Sequence, residues 1–193
     1  MKLPKLQRLA ASDLDAQEKV IADGYKYIDA LLTFSLPLPL PGFEVREFKD
    51  ADRARIEEIA LSVMRYSRLY QDAQIPRATA NRIYRERIDK AVKEFSVFVV
   101  VETMGQPPHL YKSEVVGFCF LNANEIDLIA VDEKYQHQGV GRLLVERCAL
   151  ECRKIGYSVL RVKTQGKNHR ARDAYKKMGF TITKAEKDYH KHE

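Results

Sequence analysis

The residues best suited to do chemistry stand together at one junction. Gln136-His137-Gln138-Gly139-Val140-Gly141 breaks off an apolar, strand-like run and opens an apolar-periodic helix at once. Four backbone N–H groups at a helix start lack partners, and the helix dipole adds partial positive charge there. Two glycines strip that start of side-chain bulk, so a phosphate can approach the main chain closely. Gln136 and Gln138 bring amide donors without a charge that would close the site. A Walker lysine is missing, and a dinucleotide fingerprint fails because position 144 is Leu. The chemistry open to this junction is a pyrophosphate cradle; the alternative is a tight turn that simply needs glycines. No Ser/His/Asp or Cys/His grouping is evident, which argues against a covalent acyl-enzyme. His137 lies in the loop, and His190 and His192 in the tail, at spacings that suggest solvated histidines and no metal site.

The elements that must position this junction alternate in type. "DADRARIEEIALSVM" places Ile56, Ile59, Ala60 and Val63 at helical spacing behind Asp50 or Asp52 as caps. "ATANRIYRERIDKAVKEF" gives a helix face of Ala80, Ile83, Tyr84, Ile88, Ala91, Val92 and Phe95. The β-branched and aromatic runs "SVFVVVE" and "EVVGFCFL" read as strands flanking the turn-rich "TMGQPPHLYK". "EIDLIAV" is a third strand, entering the junction. A helix from Gly139 to about Lys154, the strand "GYSVLRVKT", a basic helix "NHRARDAYKKM" and a last strand "GFTITKA" complete the order. A hairpin, a β-α-β crossover and flanking helices together imply an α/β (mixed α+β) fold, a mixed and mostly antiparallel sheet covered by helices.

Bulk properties narrow the function. With 193 residues and 45% hydrophobic content, the chain can bury one domain with something left over. "MKLPKLQRLAASDLD" shows neither an apolar central region nor a small-residue cleavage site, and "ALLTFSLPLPLPGF" is too short and proline-rich to span a membrane. Cys119, Cys148 and Cys152 read as reduced core thiols, so a cytoplasmic protein is expected. The net charge of +6 is interleaved with acids, as in "RERIDKAVKE", which disfavours nucleic acid and suits a phosphate-bearing small ligand.

The order of residues around the junction adds a resemblance. Gln136 to Gly141 fits the Q/R-x-x-G-x-G/A pattern of the GCN5-related N-acetyltransferases, the GNAT superfamily. Downstream, Asn168, Ala171 and Tyr175 in "NHRARDAYKKMGF" match that family's N-x-x-A-x-x-x-Y-x-x-x-G-F segment. The resemblance covers residues 43–193 as an N-acetyltransferase domain and leaves 1–42 as a helix-strand extension, with a boundary near Pro41. It implies acetyl-CoA as co-substrate and no metal. The pyrophosphate would lie on Gln138, Gly139, Val140 and Gly141 with Gln136 and His137 alongside, and the pantetheine arm along Ile129, Ala130 and Val131 like an added strand. Asn168 and Ala171 would help hold the cofactor; Asn168 equally suits a helix cap. Tyr175 stands where the family places a general acid for the departing thiolate, and its reference pKa of about 10 keeps it protonated at neutral pH. The alternative is a ring that only packs. Glu125 and Asp127, two apart and so on one strand face, are the candidate general bases acting through a water; either also suits a solvated strand end.

"YSRLYQDAQIPRATANRIYRERIDKA" resembles a segment of bacterial acetyltransferases that act on nucleotide-linked amino sugars, typified by the TDP-fucosamine enzyme. Ser67, Arg68 and Asp72 match, Leu69 replaces an aromatic with Tyr70 beside it, and Tyr84 is present. This implies an amine on a nucleotide sugar as acceptor, with Arg68, Arg77 and Arg82 near its phosphates. The competing acceptors are a peptide amine or another small amine, and the competing class is a CoA-binding module without turnover. The same reading admits a homodimer. Finally, "GYKYIDALLTF" from Gly24 echoes "GFTITKAEKDY" from Gly179: the extension either covers a sheet edge or is the remnant of a second acetyltransferase repeat.

Overall fold

The computed structural model describes residues 5–37, 45–101 and 114–191. In chain order the elements are β1 (Lys5–Ala10), α1 (Leu14–Ala22), β2 (Lys26–Pro37), β3 (Arg46–Glu47), α2 (Arg53–Val63), α3 (Arg68–Gln71) and α4 (Arg77–Glu94). The second half adds β4 (Ser96–Val101), β5 (Val115–Asn122), β6 (Glu125–Val131), α5 (Val140–Lys154), β7 (Val159–Gln165), α6 (His169–Lys177) and β8 (Thr181–Lys191). The chain divides into two compact units: a terminal unit of residues 1–36, 65–80 and 161–193, and a central unit of 37–64 and 81–160. The expected boundary near Pro41, the segment "TMGQPPHLYK" and His192 lie outside the described residues.

The central unit carries the strand order β6-β5-β4-β3, antiparallel throughout. Seven successive residues of β5, Val115 to Leu121, are buried, because α2 and α5 pack on this sheet. Phe98, Phe118, Phe120, Ile126 and Leu144 are among its fully buried side chains. Burying a side chain of that size stabilises by about 1.5–3 kcal/mol. Gly117 sets how closely α5 can approach: a Cβ there would stand 2.9 Å from Val140 Cγ1 and 3.1 Å from the Ala130 carbonyl oxygen. The three cysteines are buried free thiols, with Cys119 and Cys148 sulfurs 3.1 Å apart. Burial pushes the Cys148 thiol well above its ordinary value and Cys152 up to about 11, so they are core groups and poor nucleophiles.

The terminal unit has the order β1-β8-β2-β7, in which β8 pairs antiparallel with both β1 and β2. The segment before Pro41 therefore does more than pad an edge, since it takes β8 between its two strands. The strand β1 was not foreseen: "KLQRLA" has too many polar residues for a strand pattern, and its order comes from pairing with β8. The same pairing overturns the solvated reading of His190, which is 2% exposed, its Nδ1 lying 2.6 Å from Asp72 Oδ2. α1 is capped by Asp13, whose side chain accepts from the Ala16 N–H at 3.1 Å. Its Gln17 is buried: the amide donates to the carbonyls of Ala10 (2.9 Å) and Ala11 (3.1 Å), and its oxygen accepts from Lys187 Nζ (2.6 Å) and the Tyr189 hydroxyl (3.2 Å). Together the two units give the expected mixed α/β, mostly antiparallel fold, with eight strands among the described residues.

Candidate functional site

Within the central unit, β6 delivers the chain into the glycine junction. Burial alternates along it, so Glu125, Asp127, Ile129 and Val131 share a half-buried face while Ile126, Leu128 and Ala130 point into the core. After Val131 a turn of 3₁₀ helix, Glu133–Tyr135, is capped by Asp132, whose carboxylate accepts from the Lys134 N–H at 2.9 Å. Arg55 anchors the turn by an ion pair to Asp132 and a 3.2 Å hydrogen bond to the Val115 carbonyl. The Asp132 carboxyl is held below the usual range, chiefly by the Lys134 N–H and then by Arg55, against the effect of burial.

The loop that follows is shaped by backbone geometry. His137 is exposed and adopts φ +64°, a left-handed conformation uncommon for a residue with a side chain. The amides of Gln136 and Gln138 bind the loop itself: Gln136 Nε2 donates to the Val131 carbonyl at 3.1 Å and Gln138 Nε2 to the Lys134 carbonyl at 2.9 Å. They brace the loop. Gly139 is the N-cap of α5 at φ +89°, and no side chain caps the helix. A Cβ on Gly139 would meet no atom within 4 Å, and one on Gly141 would meet only Val131 Cγ2, at 3.8 Å. Among the described residues the space beside Gly139 is thus open, and no side-chain hydrogen bond caps the start of α5. That arrangement fits the pyrophosphate of acetyl-CoA. Val140 between the glycines turns inward and is buried.

Both candidate bases lie on the half-buried face of β6. Asp127 is gripped by Arg87: Nε and Nη2 reach its two carboxylate oxygens at 2.9 Å each, and Nη2 reaches its main-chain oxygen at 2.7 Å. Burial acts to lower the Arg87 guanidinium, but the bonds to Asp127 outweigh it and hold the group above its ordinary value. Glu125 lies on the same face as Asp127. Tyr84, one of the acceptor-site candidates, is buried on α4 in the same unit.

The remaining candidates belong to the terminal unit. Asn168 caps α6, its side-chain oxygen accepting from the Ala171 N–H at 3.2 Å, so the two motif residues serve each other. Tyr175 is buried, with its ring 5.5 Å from that of Phe180. Ser67 stands at the N-cap of α3 without capping it, and its buried Oγ has no hydrogen-bond partner among the described residues. Arg68 follows in the helix, half-buried. Asp72, at the other end of α3, is engaged with His190 and with the Gln74 N–H at 3.0 Å. Sequence reasoning missed Arg87, Arg55 and Gly117. Only the glycine had a local signal, as an isolated Gly inside a strand pattern.

With that geometry in place, likeness to known proteins is informative. Residues 94–182 match the family model described as Acetyltransferase (GNAT) domain. The chain is 23% identical over 183 residues to the mycothiol acetyltransferase of Propionibacterium freudenreichii subsp. shermanii, covering 90% of this chain and 57% of that protein. It is 29% identical over 104 residues to the peptidyl-lysine N-acetyltransferase YjaB of Salmonella typhimurium, covering 52% of this chain and 63% of the other. It thus spans less than two thirds of either relative's length. Among solved structures, a GCN5-related N-acetyltransferase from Sphaerobacter thermophilus superposes with TM-score 0.61 at 16% identity over 96% of this chain and 58% of that one. The apo-form of YjaB from Escherichia coli gives 0.53 at 19% identity over 76% and 95%. The fold is that of the GNAT acetyltransferases.

Proposed function

We propose that the protein is an acetyl-CoA-dependent N-acetyltransferase that moves the acetyl group directly to a primary amine. The observation that carries this reading is the open, left-handed glycine start of α5, braced by Gln136 and Gln138 and uncapped by any side chain. When bound, acetyl-CoA supplies the activated acyl group as a thioester. Main-chain N–H groups of Gly139 to Gly141 hold its pyrophosphate, in the manner of helix N-termini generally. The backbone of Ile129 to Val131 pairs with its extended arm. Glu125 or Asp127 takes the amine proton through a water, Asp127 being the one whose two carboxylate oxygens Arg87 holds. Tyr175 gives a proton to the departing thiolate, and Asn168 with Ala171 secures the helix that presents it.

As acceptor we propose an amino group on a nucleotide-linked sugar, bound by Ser67, Arg68 and Asp72 of the terminal unit. The orphaned Ser67 Oγ supports this, since a buried hydroxyl without a partner is costly unless a ligand satisfies it. A peptidyl lysine is the second reading, favoured by the name of the Salmonella relative. The deciding experiment follows CoA thiol release with TDP- and UDP-linked amino-deoxy sugars, lysine peptides and simple amines. Turnover confined to sugar nucleotides is expected; turnover only with peptides sinks the sugar assignment. Tyr175→Phe is expected to lower kcat about a hundredfold or more with acetyl-CoA binding retained. An unchanged kcat removes Tyr175 from the chemistry.

A further inference from the structure

The two nine-residue helices of the terminal unit sit in matching surroundings. α1 follows β1, is capped by Asp13 on the Ala16 N–H, and ends before Gly24 at φ +85°. α6 follows β7, is capped by Asn168 on the Ala171 N–H, and ends before Gly179 at φ +92°. Each landmark of the second lies 155 positions after its counterpart, as Gly179 does after Gly24: Ala10 and Gln165 end strands, Leu14 and His169 start helices, Lys26 and Thr181 start strands. Main-chain bonds repeat in the same steps. The Tyr25 N–H donates to Val20 O at 3.1 Å, and the Phe180 N–H to Tyr175 O at 3.0 Å. The Ala11 N–H donates to Ala185 O at 2.9 Å, and the Gly166 N–H to Ala30 O at 2.5 Å; exchanging the two copies turns one bond into the other.

The register closes under the same exchange. Lys26↔His190 becomes Ser35↔Thr181, Tyr27↔Tyr189 becomes Phe34↔Ile182, Asp29↔Asp188 becomes Thr33↔Lys184, and Ala30↔Lys187 becomes Leu32↔Ala185. Leu31↔Glu186 maps onto itself and marks a local two-fold axis. Even the irregularities correspond: Ile28 is passed over on β2, and Thr183, its counterpart, on β8. The strand order β1-β8-β2-β7 reads the same backwards once β1 is exchanged with β7 and β2 with β8. Bulges are placed individually in a strand, so two unrelated β-α-β units have no reason to share them.

We propose that residues 5–37 are a second copy of this chain's own β7-α6-β8 module. On β8 the copy occupies the place that the module of a second molecule would take under a two-fold axis through Glu186. The protein carries its dimer partner inside one chain. Without the copy, β8 would expose both its edges, a ready template for an identical strand. The copy keeps the motif's alanine, glycine and following aromatic as Ala16, Gly24 and Tyr25, but Val20 stands at the counterpart of Tyr175 and Asp13 at that of Asn168. This inference is independent of the catalytic reading above.

The test uses the full-length protein and a thiol placed on the axis. In Glu186→Cys alone, position 186 faces Leu31, and oxidation yields no covalent dimer. Adding Leu31→Pro breaks β2 at the axis. Adding Val20→Asp instead forces a charge into the buried seat of α1. Either change is expected to release the copy and let a second molecule's module replace it. The mass then doubles in light scattering, and the two thiols at position 186 cross-link across the axis. The proposal is overturned if neither release variant gives the 186–186 cross-link, whether the protein is monomeric or aggregated. It is equally overturned if Glu186→Cys cross-links with β2 intact.

Discussion

In the central unit the large buried side chains include Phe98, Phe118, Phe120, Ile126 and Leu144, whereas the terminal unit buries Gln17, Asp29, Asp72, Asp188 and His190 along with Tyr189. The central unit's buried ions are few among the described residues, Asp52 and Glu146, and each is met by an arginine, at 2.6 and 2.8 Å. The terminal unit instead distributes its polar groups over a network in which Gln17 alone bonds four partners. Apolar packing is non-directional and tolerates change in detail, while hydrogen bonds fix register. The difference therefore matches what each unit must do. The central unit has to be solid behind a backbone loop, and the terminal unit has to hold interleaved strands in a single register.

The largest effect is expected from removing a ring. Phe120→Ala should cost about 3–5 kcal/mol in urea unfolding, from lost burial plus an unfilled cavity. Its counterpart in the terminal unit is Gln17→Leu, which is more apolar and similar in volume. In an apolar interior such a change is close to neutral. Here it removes the side-chain donor to the Ala11 carbonyl and the acceptor of the Tyr189 hydroxyl and Lys187 Nζ, and about 2–3 kcal/mol of destabilisation is expected. A stabilising Gln17→Leu would erase the distinction between the two interiors.

Next in size is the glycine pair of the central unit. Gly117→Ala drives a methyl to 2.9 Å from Val140 Cγ1 and 3.1 Å from the Ala130 oxygen. Overpacking of that kind costs about 1–3 kcal/mol. Gly139→Ala meets no described neighbour within 4 Å, so its main cost is that of a side chain at φ +89°, about 1–2 kcal/mol. Thermal melts should rank the first at or above the second, while acetyl-CoA titrations should show the larger loss for Gly139→Ala. Equal losses of affinity would mean that α5 senses only its packing and that the loop does not touch the cofactor.

How much of this was legible in the sequence follows the range of the interactions. The junction could be read because its signals are local: two glycines, a broken strand and a periodic helix lie within about two turns. The burial of Ile56, Ile59 and Ala60, and that of Tyr84, Ile88 and Ala91, followed from helical spacing in the same way. What escaped depends on residues far along the chain. Asp127 reads as a strand-end carboxylate, and nothing local says that Arg87, forty positions away, pairs with it. His190 reads as solvated and β1 goes unread because nothing local says that β8 will be flanked on both sides. The echo between Gly24 and Gly179 was visible in the letters, but only the pairing register shows it to be two-fold.

The smallest effect, and the one most specific to the comparison, is in pH. Two buried aspartates have opposite shifts. Burial acts to raise Asp52, but Arg46 and the Lys49 N–H outweigh it and hold the carboxyl below its ordinary value. Burial raises Asp29 above its ordinary value, only partly opposed by the N–H groups of Ala30 and Lys167. A lowered acid contributes stability above the ordinary carboxylate range, which is lost as pH falls through its folded value. A raised acid does the reverse: its contribution is full below that range and is lost as pH rises through its folded value. Asp52→Asn should therefore flatten the loss of stability on the acid side. Asp29→Asn should remove a decline between the ordinary carboxylate range and neutrality, whatever constant offset the lost acceptor adds. Urea midpoints collected from pH 3 to 7 separate the two through their slopes. If both substitutions bend the profile in the same direction, the two interiors handle buried charge alike, and the contrast between them reduces to the number of aromatic rings.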